Sequence, residues 1–213
     1  MTLTETISGK ISKFVVSFSF GDLPGDVIAF AKLLLLDLLG ASLAGVNTEE
    51  GRAVTKALFA ISNGGRASVW CSGLNSTPVH AAFANGTAAH AQDFDDNFLA
   101  ALTHASAVLV PALLALGEET GASGSDILDA YLVGLECHAA IGRGVNRSHY
   151  LKGFHATATV GCIGTAAACA RLLKLDSVRM MHAMSLGTSM AAGLKGQFGS
   201  HAKPFQAGMA AQN

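Results

Sequence analysis

"SAVLVPALLALGEETGASGSDILDAYLVGLECHAAIGRGV", from Ser106 to Val145, decides the fold. Its first part is apolar all round, which is how a helix buried on every side reads. Gly121 breaks that helix, and Ser123 stands where the N-cap of a second belongs. Asp126 falls at the third helical position, completing the pattern of a capping box. Neither part alternates with the two-residue period of a strand.

The same helical pattern continues to either side. A helix is predicted after "DLPGD", with Pro24 near its start and apolar positions from Val27 to Leu43. "EEGRAVTKALFAIS" (Glu49 to Ser62) reads as an amphipathic helix closed by the "NGG" at Asn63 to Gly65. "RASVWC" with "GLNSTP" is extended and predicts one short β-hairpin near 67–77. Pro78 to about His90 reads as helix despite Gly86. A glycine there costs about 1 kcal/mol relative to alanine, so close packing or a ligand is expected to justify it. "NRSHYLKGFHATAT" reads as a polar connection and "VGCIGTAAACARLLKL" as a small-residue helix. "DSVRMMHAMSLGTSMAAGL" starts at an Asp176 cap, and the remaining tail is mixed until "AGMAAQN", which reads as the opening of another helix. Roughly seven or eight helices follow from these periods. The predicted architecture is all-α, with residues 1–213 as a single helical domain.

Composition narrows the function. Half of the 213 residues are hydrophobic, yet only 7% are aromatic and 14% charged. With 24 glycines, this is the composition of closely packed helices with small residues at their contacts. A net charge of −1, with no basic run, argues against nucleic-acid binding. The oily "IAFAKLLLLDLLGASLAGV" carries Lys32 and Asp37, so it is read as a buried helix and not a membrane span. "MTLTETISGKISKF" lacks the basic-then-apolar order of a signal peptide, so a soluble, cytoplasmic protein is expected. Cys71, Cys137, Cys162 and Cys169 form no CxxC pair and are read as small apolar filler.

Against this sparing use of charge, "HAQDFDDNFLAALTHAS" (His90 to Ser106) gathers Asp93, Asp95, Asp96, His90 and His104. The bland reading is a solvated loop that ends one helix and caps the next. Three chemistries compete with it: general acid–base catalysis, a divalent metal, or the aspartate motifs of terpene enzymes. The last would need aromatic walls or clustered cations, and the metal reading finds no "HExxH" or "HxH". His155 and Lys203 lie farther along, and Arg143, Arg147, Lys152 and Lys195 sit beside glycine-rich connections. Cations beside a His/Asp set suit a polycarboxylate whose carboxylates are held while a base removes the neighbouring proton.

Several separated stretches then match one pattern. "NGTAAHAQDFDD", "THAS", "VLVPALLALGEETGASGSDILDAYLVGLE", "GFHATATVG" and "AKPFQAGMAA" together resemble the MmgE/PrpD family, in order and over nearly the whole chain. The resemblance implies a helical domain plus a smaller lid domain with the site between them. It implies dehydratases, decarboxylases or epimerases of small di- and tricarboxylic acids such as 2-methylcitrate or cis-aconitate. It also implies a dimer and no metal or organic cofactor. Carried over by motif, Asp93, His104, His155 and Lys203 are the expected catalytic residues. One imidazole would serve as acid or base, Asp93 would tune it, and Lys203 would hold a carboxylate. His90, Asn97 and Lys152 are the expected substrate contacts. Asn97 stands where the family often has threonine, and Ala105 and Ala156 replace prolines. Family members are considerably longer, so this chain is expected to be the N-terminal part with the lid absent. A second copy or a second chain is the expected partner. The alternatives are an epimerase with the same pocket, or a non-catalytic helical module.

Overall fold

The computed structural model describes residues 5–61 and 64–213; the helix stop expected at Asn63 and the first four residues lie outside them. Ten α-helices and one hairpin occur among the described residues: α1 (Ile7–Ser17), α2 (Gly25–Gly45), α3 (Glu49–Ile61), β1 (Ala67–Val69), β2 (Leu74–Ser76), α4 (Pro78–His90), α5 (Ser106–Thr120), α6 (Gly124–Val145), α7 (Ser148–Leu151), α8 (Ala156–Leu172), α9 (Ser177–Met190) and α10 (Ala202–Gln212). The fold is all-α, as predicted. The hairpin is antiparallel, with Ala67 opposite Ser76 and Val69 opposite Leu74.

Helix α5 runs through the centre. Val108, Leu109, Val110 and Leu113 are fully enclosed, which is why that stretch shows no polar face. It ends at Gly121, whose φ of +70° is left-handed and suits glycine. The capping box of α6 forms as its sequence predicts. The Asp126 amide donates to Ser123 Oγ at 3.2 Å, and the Ser123 amide returns a bond to Asp126 Oδ2 at 3.0 Å. Tyr131 of α6, fully buried, joins Ser106 at the head of α5 through a 2.7 Å hydroxyl pair.

Two helices escaped the sequence reading, and a third was read only in part. α1 carries a good N-cap, with Thr6 accepting from Gly9 N at 3.1 Å, but it is held chiefly by packing on α9, a contact no local period reports. α7 is one turn within the polar connection, whereas α10 was expected only at "AGMAAQN" and begins earlier, at Ala202. Helix α8 also begins four residues earlier than expected, at Ala156.

Helix α2 departs from its expected burial. Ala31, Leu38, Ala41, Ser42 and Gly45 face the core, but Phe30, Leu33, Leu36 and Leu43 are exposed. By length and composition it is the described helix that could cross a membrane, although it holds Lys32 and Asp37. Among the cysteines, Cys137 and Cys162 are buried, whereas Cys71 is exposed on the hairpin turn. Burial pushes the Cys137 thiol up to about 12 and Cys162 up to about 11, as inert filler requires.

Gly86 is explained by packing. A Cβ on it would lie 3.0 Å from Ala211 Cβ and 3.1 Å from Gly208 Cα, so α4 and α10 meet backbone to backbone. From the other side, a Cβ on Gly208 would fall 2.2 Å from Thr87 Oγ1 and 2.5 Å from the Phe83 carbonyl. Gly208→Ala is therefore expected to cost about 1–3 kcal/mol by overpacking. Urea unfolding would show it as a lower midpoint, and an unchanged midpoint would contradict this contact.

Candidate active site

The end of α4, the loop from 91 to 105, the start of α8 and the first turn of α10 meet at one place. Local bonds shape the loop. Phe98 and Thr103 bridge across it, and Asp96 Oδ1 accepts the Ser106 amide at 3.2 Å, beneath the N-terminus of α5. Asp96 thus meets the capping half of the bland reading, holding the first amide of α5, but it is partly buried and not a solvated loop residue. Burial raises its pKa and Asp95's charge adds to this, against the Ser106 bond. Asp93 takes φ +57°, a left-handed conformation that aspartate tolerates better than most residues. The His104 amide donates to Thr157 Oγ1 at 3.0 Å, tying the loop to α8. Across the site, the His155 amide donates to the Gly193 carbonyl at 3.0 Å.

Five of the residues expected from sequence converge here. His90 Nδ1 lies 2.8 Å from Asp95 Oδ2, with both side chains fully buried. His104 Nδ1 lies 3.4 Å from the same oxygen, and its Nε2 lies 3.7 Å from Asp93 Oδ1. Lys203 Nζ donates to Asp93 Oδ1 at 2.5 Å. The His90 ring stands between the other two, with centroids 4.8 Å from His104 and 5.6 Å from His155. Asn97 and Lys152 stand apart. Both are exposed, and neither side chain has a hydrogen bond or ion pair among the described residues.

Two functional neighbours were missed. Asp95 was legible as one of the cluster's three aspartates, but no motif singled it out. Gln206, whose Oε1 lies 2.7 Å from His155 Nδ1, follows Lys203 by three positions and so shares its face of α10. Phe198 adds an aromatic ring, set nearly perpendicular to that of His155 with centroids 5.0 Å apart.

The environments pull the two histidines apart. Burial works against the His104 imidazolium, but the bond to Asp95 and the charges of Asp95 and Asp93 outweigh it and raise the pKa. Burial lowers His155 to about 4, only partly opposed by Gln206. Burial would also raise Asp95, yet bonds and charges from His104 and His90 hold it well below the usual carboxylate range. Lys203 holds Asp93 low in the same way, against partial burial. His90 Nε2, His155 Nε2 and Asp95 Oδ1 are buried and lack a partner in the protein. Such atoms lose free energy unless something else meets them. One donor atom each from His90, Asp93, Asp95 and His104 lie within 4.8 Å of one another, so a divalent ion could be held. The Lys203 ammonium already occupies the Asp93 side of that space, where an ion would meet a fixed positive charge.

Fold and site together define a helical domain that carries a buried acid–base cluster with a cation at its edge. Residues 9–213 match the MmgE/PrpD N-terminal domain, and the chain belongs to that family. It is 30% identical to the cis-aconitate decarboxylase of Homo sapiens over 99% of its own length and 45% of the relative's. The Mus musculus cis-aconitate decarboxylase is 31% identical over 100% of this chain and 44% of the relative. That of Aspergillus terreus is 30% identical over 97% and 44%. The chain thus spans less than half the length of the relatives it matches.

Proposed function

We propose that the chain supplies the N-terminal, acid–base portion of a cofactor-independent lyase, a dehydratase or decarboxylase acting on a small di- or tricarboxylic acid. One observation carries this reading: His104, whose pKa its aspartate partners raise, and His155, whose pKa burial lowers, both lie against His90, with the Lys203 ammonium on Asp93 beside them. Two imidazoles whose pKa values are pushed in opposite directions suit the roles of acid and base. Relatives named cis-aconitate decarboxylase support the substrate class.

In a dehydration, His155 Nε2 takes the proton alpha to a carboxylate, and that electron pair forms the C=C bond. The C–O bond breaks, and the hydroxyl leaves as water with the proton of His104. In a decarboxylation the C–C bond breaks, CO2 leaves, and His104 protonates the carbon that keeps the pair. Lys203 holds a carboxylate in either case, while Asp93 orients Lys203 and His104. Asn97 and Lys152 are proposed as outer substrate contacts. No resident metal is proposed, because Lys203 neutralises Asp93 directly. A soluble, cytoplasmic protein that associates with a second copy or a second chain completes the reading, supported by the apolar side chains exposed on α2.

The test is proton NMR of the protein with 2-methylcitrate or cis-aconitate in D2O. Loss of water or CO2 is expected, with deuterium entering the product at carbon where CO2 is lost, and elemental analysis of the sample should show no stoichiometric divalent metal. Deuterium exchange without loss of either fragment would replace the lyase with an epimerase. No reaction with any di- or tricarboxylate would leave a non-catalytic module.

A further inference from the structure

We propose that Gln206 is the positioning residue that makes His155 the base: its side-chain carbonyl accepts a hydrogen bond from Nδ1–H and leaves Nε2 with a free lone pair. The assignment rests on the lyase reading for the role of the base, but its geometry stands alone. Gln206 Oε1 lies 2.7 Å from His155 Nδ1. The other end of the amide fixes which atom faces the ring, since Nε2 donates to the Leu194 carbonyl at 3.4 Å. A carbonyl oxygen can only accept, so the shared proton sits on the imidazole nitrogen. His155 Nε2 is then the unprotonated atom, and it is the one that is buried and without a partner.

The partner's charge matters as much as its position. His104 and His155 each present Nδ1 to an acceptor, but His104 faces the carboxylate of Asp95 and His155 faces a neutral amide. An anion would stabilise the imidazolium and a neutral acceptor does so far less. Burial opposes a positive charge on His155 most, and His90, Lys203 and His104 add to it as like charges. His155 also occupies the N-cap of α8, where the helix dipole is positive. Gln206 therefore fixes the tautomer without turning the base into an acid. Because it lies three residues after Lys203, one turn of α10 supplies both the cation on Asp93 and the acceptor on His155.

Nitrogen-15 histidine spectra of the intact protein decide it. Wild type is expected to show His155 as the Nδ1–H tautomer, uncharged until about pH 4; the Nε2–H tautomer would overturn the proposal. Gln206→Glu, which keeps the acceptor and adds charge, should move the His155 titration up by about one to three pH units. The acid limb of the kcat/KM profile should move with it. Gln206→Met should leave the two tautomers mixed. An unmoved His155 titration in Gln206→Glu, or a pure Nδ1–H tautomer in Gln206→Met, counts against Gln206. Should the titration move while the rate profile stays still, Gln206 does not position a catalytic base and the proposal falls. Should no acid be turned over at all, the lyase reading fails, and the wild-type tautomer still judges the Gln206–His155 geometry.

Discussion

Acidifying the protein from about pH 6.5 to about pH 5 should cost about 3 kcal/mol of folding stability, through two buried histidines at about 1.4 kcal/mol per pH unit each. His155 is one. The other is His138 of α6, fully enclosed, with neither ring nitrogen partnered, and burial alone lowers its pKa to about 3. Two glycines of α8 make room for that ring: a Cβ on Gly164 would lie 3.0 Å from its Nδ1, and one on Gly161 would lie 3.6 Å from its Cε1. Below about pH 6.5 the unfolded chain protonates both imidazoles while the folded chain protonates neither, so the unfolded state binds more protons. Both folded pKa values are depressed. The stability is therefore present above the unfolded value and is lost as pH falls toward the folded ones. His104 runs the other way: its folded pKa is raised, so its contribution is complete below about pH 6.5 and fades as pH rises. Urea unfolding across this range checks the slope. His138→Leu removes one of the two groups, and its loss over the same range should be about half that of wild type. Equal slopes would mean that His138 does not stay neutral in the fold.

Asp95→Ala should cost about 3–5 kcal/mol near pH 6, the usual penalty for breaking a buried charged pair. Its carboxylate sits between His90 and His104, and removing it leaves the buried His90 Nδ1–H with no acceptor. Asp95→Asn retains an acceptor but no charge, so it should cost less while His104 falls back below its raised pKa. Folded Asp95 titrates below its unfolded value, so the stability it gives is present above the carboxylate range and is lost as pH falls through it. The difference between wild type and Asp95→Ala should accordingly shrink in acid. A cost under about 1 kcal/mol, the range of exposed ion pairs, would show that water reaches the cluster.

Helix class was legible wherever composition or caps spoke locally. The all-apolar α5, the Ser123–Asp126 box and the Asp176 cap lie in the chain as short-range signals, and each forms. α1, α7 and the first turn of α10 were silent because their stability comes from what they pack against. The start of α8 was hidden by Thr157 and Thr159, which read as loop residues. In the fold Thr157 takes the His104 amide, and Thr159 bonds the His155 carbonyl and His149. The site divides in the same way. Asp93, His104, His155 and Lys203 stand out by residue type in an apolar chain, and the fold gathers them. Gln206 and Asp95 matter only through distance to an imidazole, which no spacing rule reports. The exposed face of α2 was misread because an apolar run does not say which of its residues turn inward.

The contact of Gly86 with Gly208 also ties two binding properties together. Lys203 and Gln206 ride on α10 while His90 ends α4, and Gly86 and Gly208 bring the two backbones together where the helices cross. Their spacing is therefore set by backbone meeting backbone, which cannot give way as a rotamer can. An axial slip of one residue would shift α10 by about 1.5 Å, enough to part Lys203 from Asp93 and Gln206 from His155 together. A substitution among these small residues, remote from any ionisable group, would thus register as a simultaneous change in anion affinity and proton affinity.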